Sequence, residues 1–167
     1  MNRYFLSLTI ALAISVFHGC GDKSRPVDLP KLHQAKIVST QDGTPLVGAR
    51  VEIYCTDTSA KYRVSGGITD ESGVVALRTY GFNGAPVGKY KVTALNIIKG
   101  ELPPGTKLSR FNQPDKLNLV DKKYSTEQLS DQEIEIVAGR NEFKIDFGAP
   151  VRYVHEAGVR SSPNKRP

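Results

Sequence analysis

Tryptophan is absent from this chain, methionine occurs once, and cysteine occurs twice, as Cys20 and Cys55. Two cysteines cannot build the multi-bridge framework that staples small secreted domains, so the fold has to stand on its core. Histidine is scarce too: His18, His33 and His155. His155-Glu156 begins like a zinc-protease helix, but the place of the second histidine holds Val159, and Gly158 weakens helix there. No metal, cofactor or enzymatic chemistry is expected from such a set. The longest apolar run, Leu6 to Phe17, is interrupted by Ser7, Thr9 and Ser15 and falls short of the roughly 20 residues that cross a bilayer as a helix. Helical periodicity is missing from the rest of the chain, although STEQLSDQ, 125–132, could support one turn.

Charge is present but unfocused. The formal excess is +6, from 23 lysines and arginines against 17 acids. These are spread along the chain, with no basic run interleaved with aromatics of the kind that grips single-stranded nucleic acid. Nucleic acid is therefore not an expected partner. Only the end, RSSPNKRP, concentrates charge, and 149–167 reads as a basic, disordered tail.

The first 19 residues, MNRYFLSLTIALAISVFHG, put one positive side chain, Arg3, ahead of the apolar run and a small residue, Gly19, before Cys20. This is the layout of a secretory signal peptide. With Cys20 closing it, the segment resembles the bacterial lipobox, departing from the common form at Phe17 and His18. The resemblance implies that Cys20 becomes an N-terminal diacylglyceryl cysteine, and two acyl chains hold a protein durably on a membrane. Gly21, with Asp22 one place later, slightly favours the outer membrane, in the periplasm or facing the surface. The alternative is an ordinary leader cut nearby, leaving Cys20 as a thiol able to pair with Cys55. Residues 20–34, with Pro26 and Pro30 and no periodicity, read as a flexible tether.

From residue 35 the chain alternates. AKIVST runs into Asp42-Gly43 and Pro45, which supply turn chemistry. GARVEIYC then sets Val51, Ile53 and Cys55 on one face, as a half-buried strand requires. Cys55 is expected in the core, the usual place of an unpaired cysteine. YRVSGGIT and VVALRTY flank the turn Asp70–Gly73, and GKYKVTALNI puts Tyr90, Val92 and Ala94 on one side. QEIEIVAGRNEFKIDF holds two alternating segments around a Gly- and Asn-rich turn. Both pairs read as hairpins. About seven short strands in roughly a hundred residues predict an all-β protein, an antiparallel β-sandwich of prealbumin-like or immunoglobulin-like type over 35–148.

Three segments in order, DGTPLVGARVEIY, ITDESGVVAL and GAPVGKYKVTAL, followed by LVDKKYSTEQLSDQEIEIVAGRNEFKIDF, resemble carboxypeptidase regulatory-like domains. The variant in many small secreted planctomycete lipoproteins is the most similar. The resemblance implies a prealbumin-like sandwich and no catalytic residues. The related hydroxyisourate hydrolases use histidines, an arginine and a C-terminal Tyr-Arg-Gly-Ser, which Val151-Arg152-Tyr153 and RSSPNKRP do not supply.

The longest connection without strand character, 99–120, contains Pro103, Pro104 and Pro114 and is a candidate interaction loop, with Arg110 and Phe111 the residues placed to meet a partner. Its other reading is an insertion whose Leu108, Phe111 and Leu117 cap the sandwich. A Lys36–Asn141 isopeptide bond with Glu52 as catalyst is conceivable, although Asn141 belongs by its setting to a turn. Two functions stay open: a non-catalytic, lipid-anchored envelope protein that binds protein, peptide or glycan or gives structural support, and an accessory subunit of an exported machine docking through 99–120 or a strand edge.

Overall fold

The computed structural model describes residues 24–102, 104–105 and 113–155. Its strands are β1 (Ala35–Gln41), β2 (Thr44–Pro45), β3 (Arg50–Cys55), β4 (Val64–Ile68), β5 (Val74–Ala76), β6 (Arg78–Thr79), β7 (Phe82–Asn83), β8 (Gly88–Leu95), β9 (Ile97–Lys99), β10 (Lys116–Asn118), β11 (Glu133–Ile136), β12 (Asn141–Asp146) and β13 (Tyr153–Val154). Two sheets face one another. One has the order β12-β1-β2, with β5 also on β1; the other runs β11-β8-β3-β4-β6-β7. The protein is an all-β sandwich.

Alternation decides which side chains meet between the layers. Ile37 from β1, Val51 and Ile53 from β3, and Val92 and Ala94 from β8 have no exposed surface, and Tyr90 and Ile136 almost none. Removing such side chains from water, at about 25 cal/mol per Å² of apolar surface, is what holds the layers together. Cys55 is unpaired and buried on the same face. At one end of the core, Phe147 and Tyr124 meet edge-to-face, 5.0 Å apart, over Val120. These residues, rather than the predicted Leu117, fill that end; Leu108 and Phe111 lie outside the described residues.

Both predicted hairpins turn out to be corners between sheets. The turn Asp70–Gly73 is as expected: Gly73 has φ 74° and donates to the Asp70 carbonyl, while the Asp70 carboxylate accepts from the Ser72 and Val74 amides at 2.9 Å each. Yet β5 pairs with β1, and β4 finds its partner in β6 through Gly66 and Arg78. Likewise β11 lies antiparallel on β8, whereas β12 lies parallel to β1, with Ile37 opposite Phe143 and Ser39 opposite Ile145. The sandwich is thus not wholly antiparallel. A tight turn fixes a reversal but not the ladder that the following strand joins; Val75 and Ile145 are buried by their new partners in the opposite layer.

The segment after Val120 covers the outer face of β8. It forms a 3₁₀ turn over Lys122–Tyr124 and a single further turn in which the Ser130 amide reaches the Thr126 carbonyl at 3.1 Å. The one turn expected in 125–132 is therefore present. Ser130 Oγ donates to the Val92 carbonyl, and Lys91 Nζ donates to the Ser130 carbonyl at 3.0 Å; Thr93, on a face that alternation turns outward, is buried too, its hydroxyl donating to the Glu52 carbonyl at 3.3 Å.

Candidate functional site

Strand register sorts the polar residues into two ends of the sandwich, about 20 Å apart along the seven residues of β1. One end collects Ala35, Cys55, Leu77, Ala85, Tyr90, Ile136 and Asn141. The chain comes in here, so we term it the tether pole. At the other, distal pole stand the Asp42-Gly43 turn, Leu95, Leu119 and Asp146.

At the tether pole, the second half of the predicted spacer is packed. Leu29 is buried, and His33 makes a two-way backbone bridge to Ala85 at 2.8 and 3.0 Å. His33 Nδ1 accepts from the Gly139 amide at 2.9 Å, so the imidazole braces a corner. Asp28 is clasped by Lys61 Nζ and, at 2.8 Å, by the Tyr62 hydroxyl. These two donors hold its carboxyl below the ordinary carboxylate range. Between this strap and Pro86–Tyr90 lies a groove of about 500 Å³ with Cys55 on its floor. Tyr90 donates to the Pro86 carbonyl at 2.9 Å, and burial pushes its phenol well up.

A second groove of about 460 Å³ opens on the same pole, between the start of β1, Leu77-Arg78, Asn83-Gly84 and the 140–142 corner. Asn141 builds that corner. Its Oδ1 accepts from the Val137 amide at 2.9 Å, and its Nδ2 donates to the carbonyls of Val137 and Gln34 at 3.0 and 3.3 Å. Gly84, at φ 105°, lets the backbone pass so close to His33 that a Cβ would stand 2.6 Å from the His33 carbonyl oxygen.

The distal pole carries a third, small sheet of order β13-β10-β9, from which the 99–120 connection is hung: Lys99 pairs with Lys116 and Ile97 with Asn118. The connection therefore has strand character at its base, which three-residue strands are too short to signal in sequence. Within the predicted tail, Tyr153 and Val154 join this sheet, with Tyr153 opposite Asn118, and the Val151 and His155 amides reach the Leu119 and Lys116 carbonyls. Asn118 is fully buried, its Oδ1 accepting from the Asn96 and Val120 amides at 2.9 and 3.2 Å and its Nδ2 donating to the Tyr153 hydroxyl at 2.7 Å. Beside it, Asp146 accepts from the Thr40 hydroxyl at 2.7 Å and from the Gly43 and Gly148 amides at 2.9 and 2.8 Å, which hold its carboxyl down at about 2.

Of the residues singled out in sequence, Cys20, Arg110 and Phe111 lie outside the described residues. His155 is described and stands beside the third sheet, its amide on the Lys116 carbonyl. Lys36, Asn141 and Glu52 are not brought together. Lys36 Nζ pairs with Glu142 at 3.0 Å, Asn141 opens β12 opposite Ala35 rather than lying in the turn, and Glu52, on the other sheet, accepts from the Tyr54 hydroxyl at 2.8 Å. Burial and that carboxylate push the Tyr54 phenol up to about 12. Asp28, Asn118 and Asp146 were not legible beforehand, because their partners lie far away in sequence. Among the described residues no three His, Cys, Asp or Glu side chains are grouped to hold a metal, and no helix is long and apolar enough to cross a membrane. No family model, curated protein or solved structure matches the chain.

Proposed function

We propose that this is a non-catalytic envelope protein of the carboxypeptidase regulatory-like kind, anchored by lipid on Cys20, whose sandwich serves binding or structural support. The carrying observation is polarity. The chain joins the sandwich at one pole, and its longest connection leaves and returns at the other. Eight residues, Gly21 to Asp28, separate Cys20 from buried Leu29, a reach of at most about 30 Å at 3.3–3.6 Å per residue. An anchored chain would keep the tether pole near the bilayer and turn the 99–120 connection outward.

Fractionation of cells expressing the wild type and Cys20→Ala tests the anchor. The wild type should sediment with membranes and carry acyl mass on Cys20, and the variant should be soluble. Two soluble fractions, or a bare Cys20, overturn it.

A second reading, an accessory subunit of an exported machine docking through 99–120, gains support from the β9–β10 pair that carries this loop. Replacing 101–114 with a short Gly-Ser turn should then abolish a complex that co-purifies from membranes. A complex that survives the replacement rules the loop out as the docking element.

A further inference from the structure

The second groove at the tether pole has charge without a counter-charge. Four charged side chains line it: Lys36, Arg78, Arg140 and Glu142. Lys36 and Glu142 neutralise one another at 3.0 Å. Arg78 spends one N–H on a neutral group, its Nε donating to Asn83 Oδ1 at 3.0 Å, which aims the guanidinium while leaving its terminal nitrogens unused by any hydrogen bond or ion pair among the described residues. Arg140 likewise has no carboxylate within ion-pair distance among the described residues.

Both arginines also stand on backbone that cannot drift. Arg78 is bridged to Gly66 on one side and Gly84 on the other. Arg140 precedes Asn141, whose side chain ties the corner with bonds to Val137 and Gln34. Two planar forks on one concave surface, that of Arg78 aimed by Asn83 and that of Arg140 free to turn on a braced corner, with Gln34 also in the lining, suit a tetrahedral oxyanion, which can take a bidentate fork from each side. We propose that this groove binds a phosphate group through Arg78 and Arg140. The site stands on these contacts alone and does not depend on the lipid anchor. The same chemistry has two sources, a bilayer headgroup, which lies on this side of the sandwich if Cys20 is anchored, and soluble phosphate or a phosphomonoester.

The test uses the full chain carrying Cys20→Ala, so that no acyl group confuses membrane binding. Inorganic phosphate is titrated at constant ionic strength, with chloride as control, while the arginine Nε–H and the 140–142 amides are followed by NMR. In parallel, the protein is co-sedimented with neutral galactolipid vesicles with and without phosphatidic acid. The expected result is saturable, phosphate-dependent binding in at least one arm, weakened on the order of tenfold by either Arg78→Ala or Arg140→Ala. Arg→Lys should restore it only in part, because an ammonium lacks the fork. Lys99→Ala with Lys116→Ala at the distal pole should leave it unchanged. Binding in the vesicle arm alone assigns the headgroup, and binding in the titration alone assigns a soluble phosphate. Absence of binding in both arms, an equal response to chloride, or binding that survives the double arginine substitution overturns the proposal. The exposed positions of both arginines and an unchanged thermal midpoint separate lost binding from lost fold.

Discussion

The two poles of the sandwich use polar residues in opposite ways. At the distal pole each prominent polar side chain is saturated by the chain itself: Asn118 satisfies two backbone amides and a tyrosine, and Asp146 collects a hydroxyl and two glycine amides at close range. At the tether pole Asn141 and the His33 imidazole behave so, but the charged side chains differ. Asp28 and Lys61 meet on the surface, and Arg78 and Arg140 face a groove with hydrogen-bonding capacity in hand. Saturated groups hold a structure and have nothing left to offer a ligand; unsaturated ones contribute little to stability and remain available. Substitutions at the distal pole should therefore be read in folding free energy, and those at the tether pole in local opening or binding.

The sharpest way to break that contrast is Asn118→Ala. It leaves the Asn96 and Val120 amides without an acceptor at a fully buried position, each such loss costing about 1–3 kcal/mol. We expect a loss of about 3 kcal/mol in urea unfolding with an unchanged m-value. Tyr153→Phe, which removes only the hydroxyl that Asn118 Nδ2 reaches, should cost about 1 kcal/mol. Equal losses for the two would mean that the amide acceptor is not what matters.

The all-β class was legible because alternation is a direct imprint of burial: the in-facing set Val51, Ile53, Cys55 and Tyr90, Val92, Ala94 is buried as read. Turn positions were legible for the same local reason, since Gly73 must have positive φ wherever its flanking strands go. Partnership was not. Whether Val74–Ala76 returns to β4 or crosses to β1 depends on long-range packing, and the parallel β1–β12 pair leaves no trace in either strand's own pattern. The same limit hid the candidate groove. Arg78 and Arg140 are far apart in sequence and meet across one concavity only because β6 and the corner before β12 come to the same end of the fold.

Acid should act at the distal pole with a defined sign. The folded Asp146 carboxyl, at about 2, lies below its ordinary value of 3.8, so it contributes stability that is complete above the unfolded value and is lost as pH falls from about 4 towards 2. Exposure to solvent screens the effect to about 1 kcal/mol or less. Asp146→Asn should flatten the stability-against-pH curve in that window and change little at neutral pH beyond loss of the charge-assisted bonds. A curve with the same slope in wild type and variant would show that other carboxylates carry the acid response.

The smallest expected effect belongs to the strap. Asp28 is surface-exposed, and its partners Lys61 and Tyr62 are long side chains that lose rotamer freedom in holding it, so the clasp contributes little to global stability. Its role is local. Leu29 donates to the Pro26 carbonyl at 3.1 Å and is buried, and His33 is bridged to Ala85, so the clasp stands at the start of a docked segment. Asp28→Ala should leave the unfolding midpoint in place yet speed hydrogen exchange at the Leu29 amide, with the His33 amide, held at 2.8 Å further along, affected much less. If the midpoint falls as far as in Asn118→Ala, the tether pole is built on the same saturated principle as the distal one. If exchange at Leu29 does not change, its burial rather than the clasp holds this segment against the sandwich.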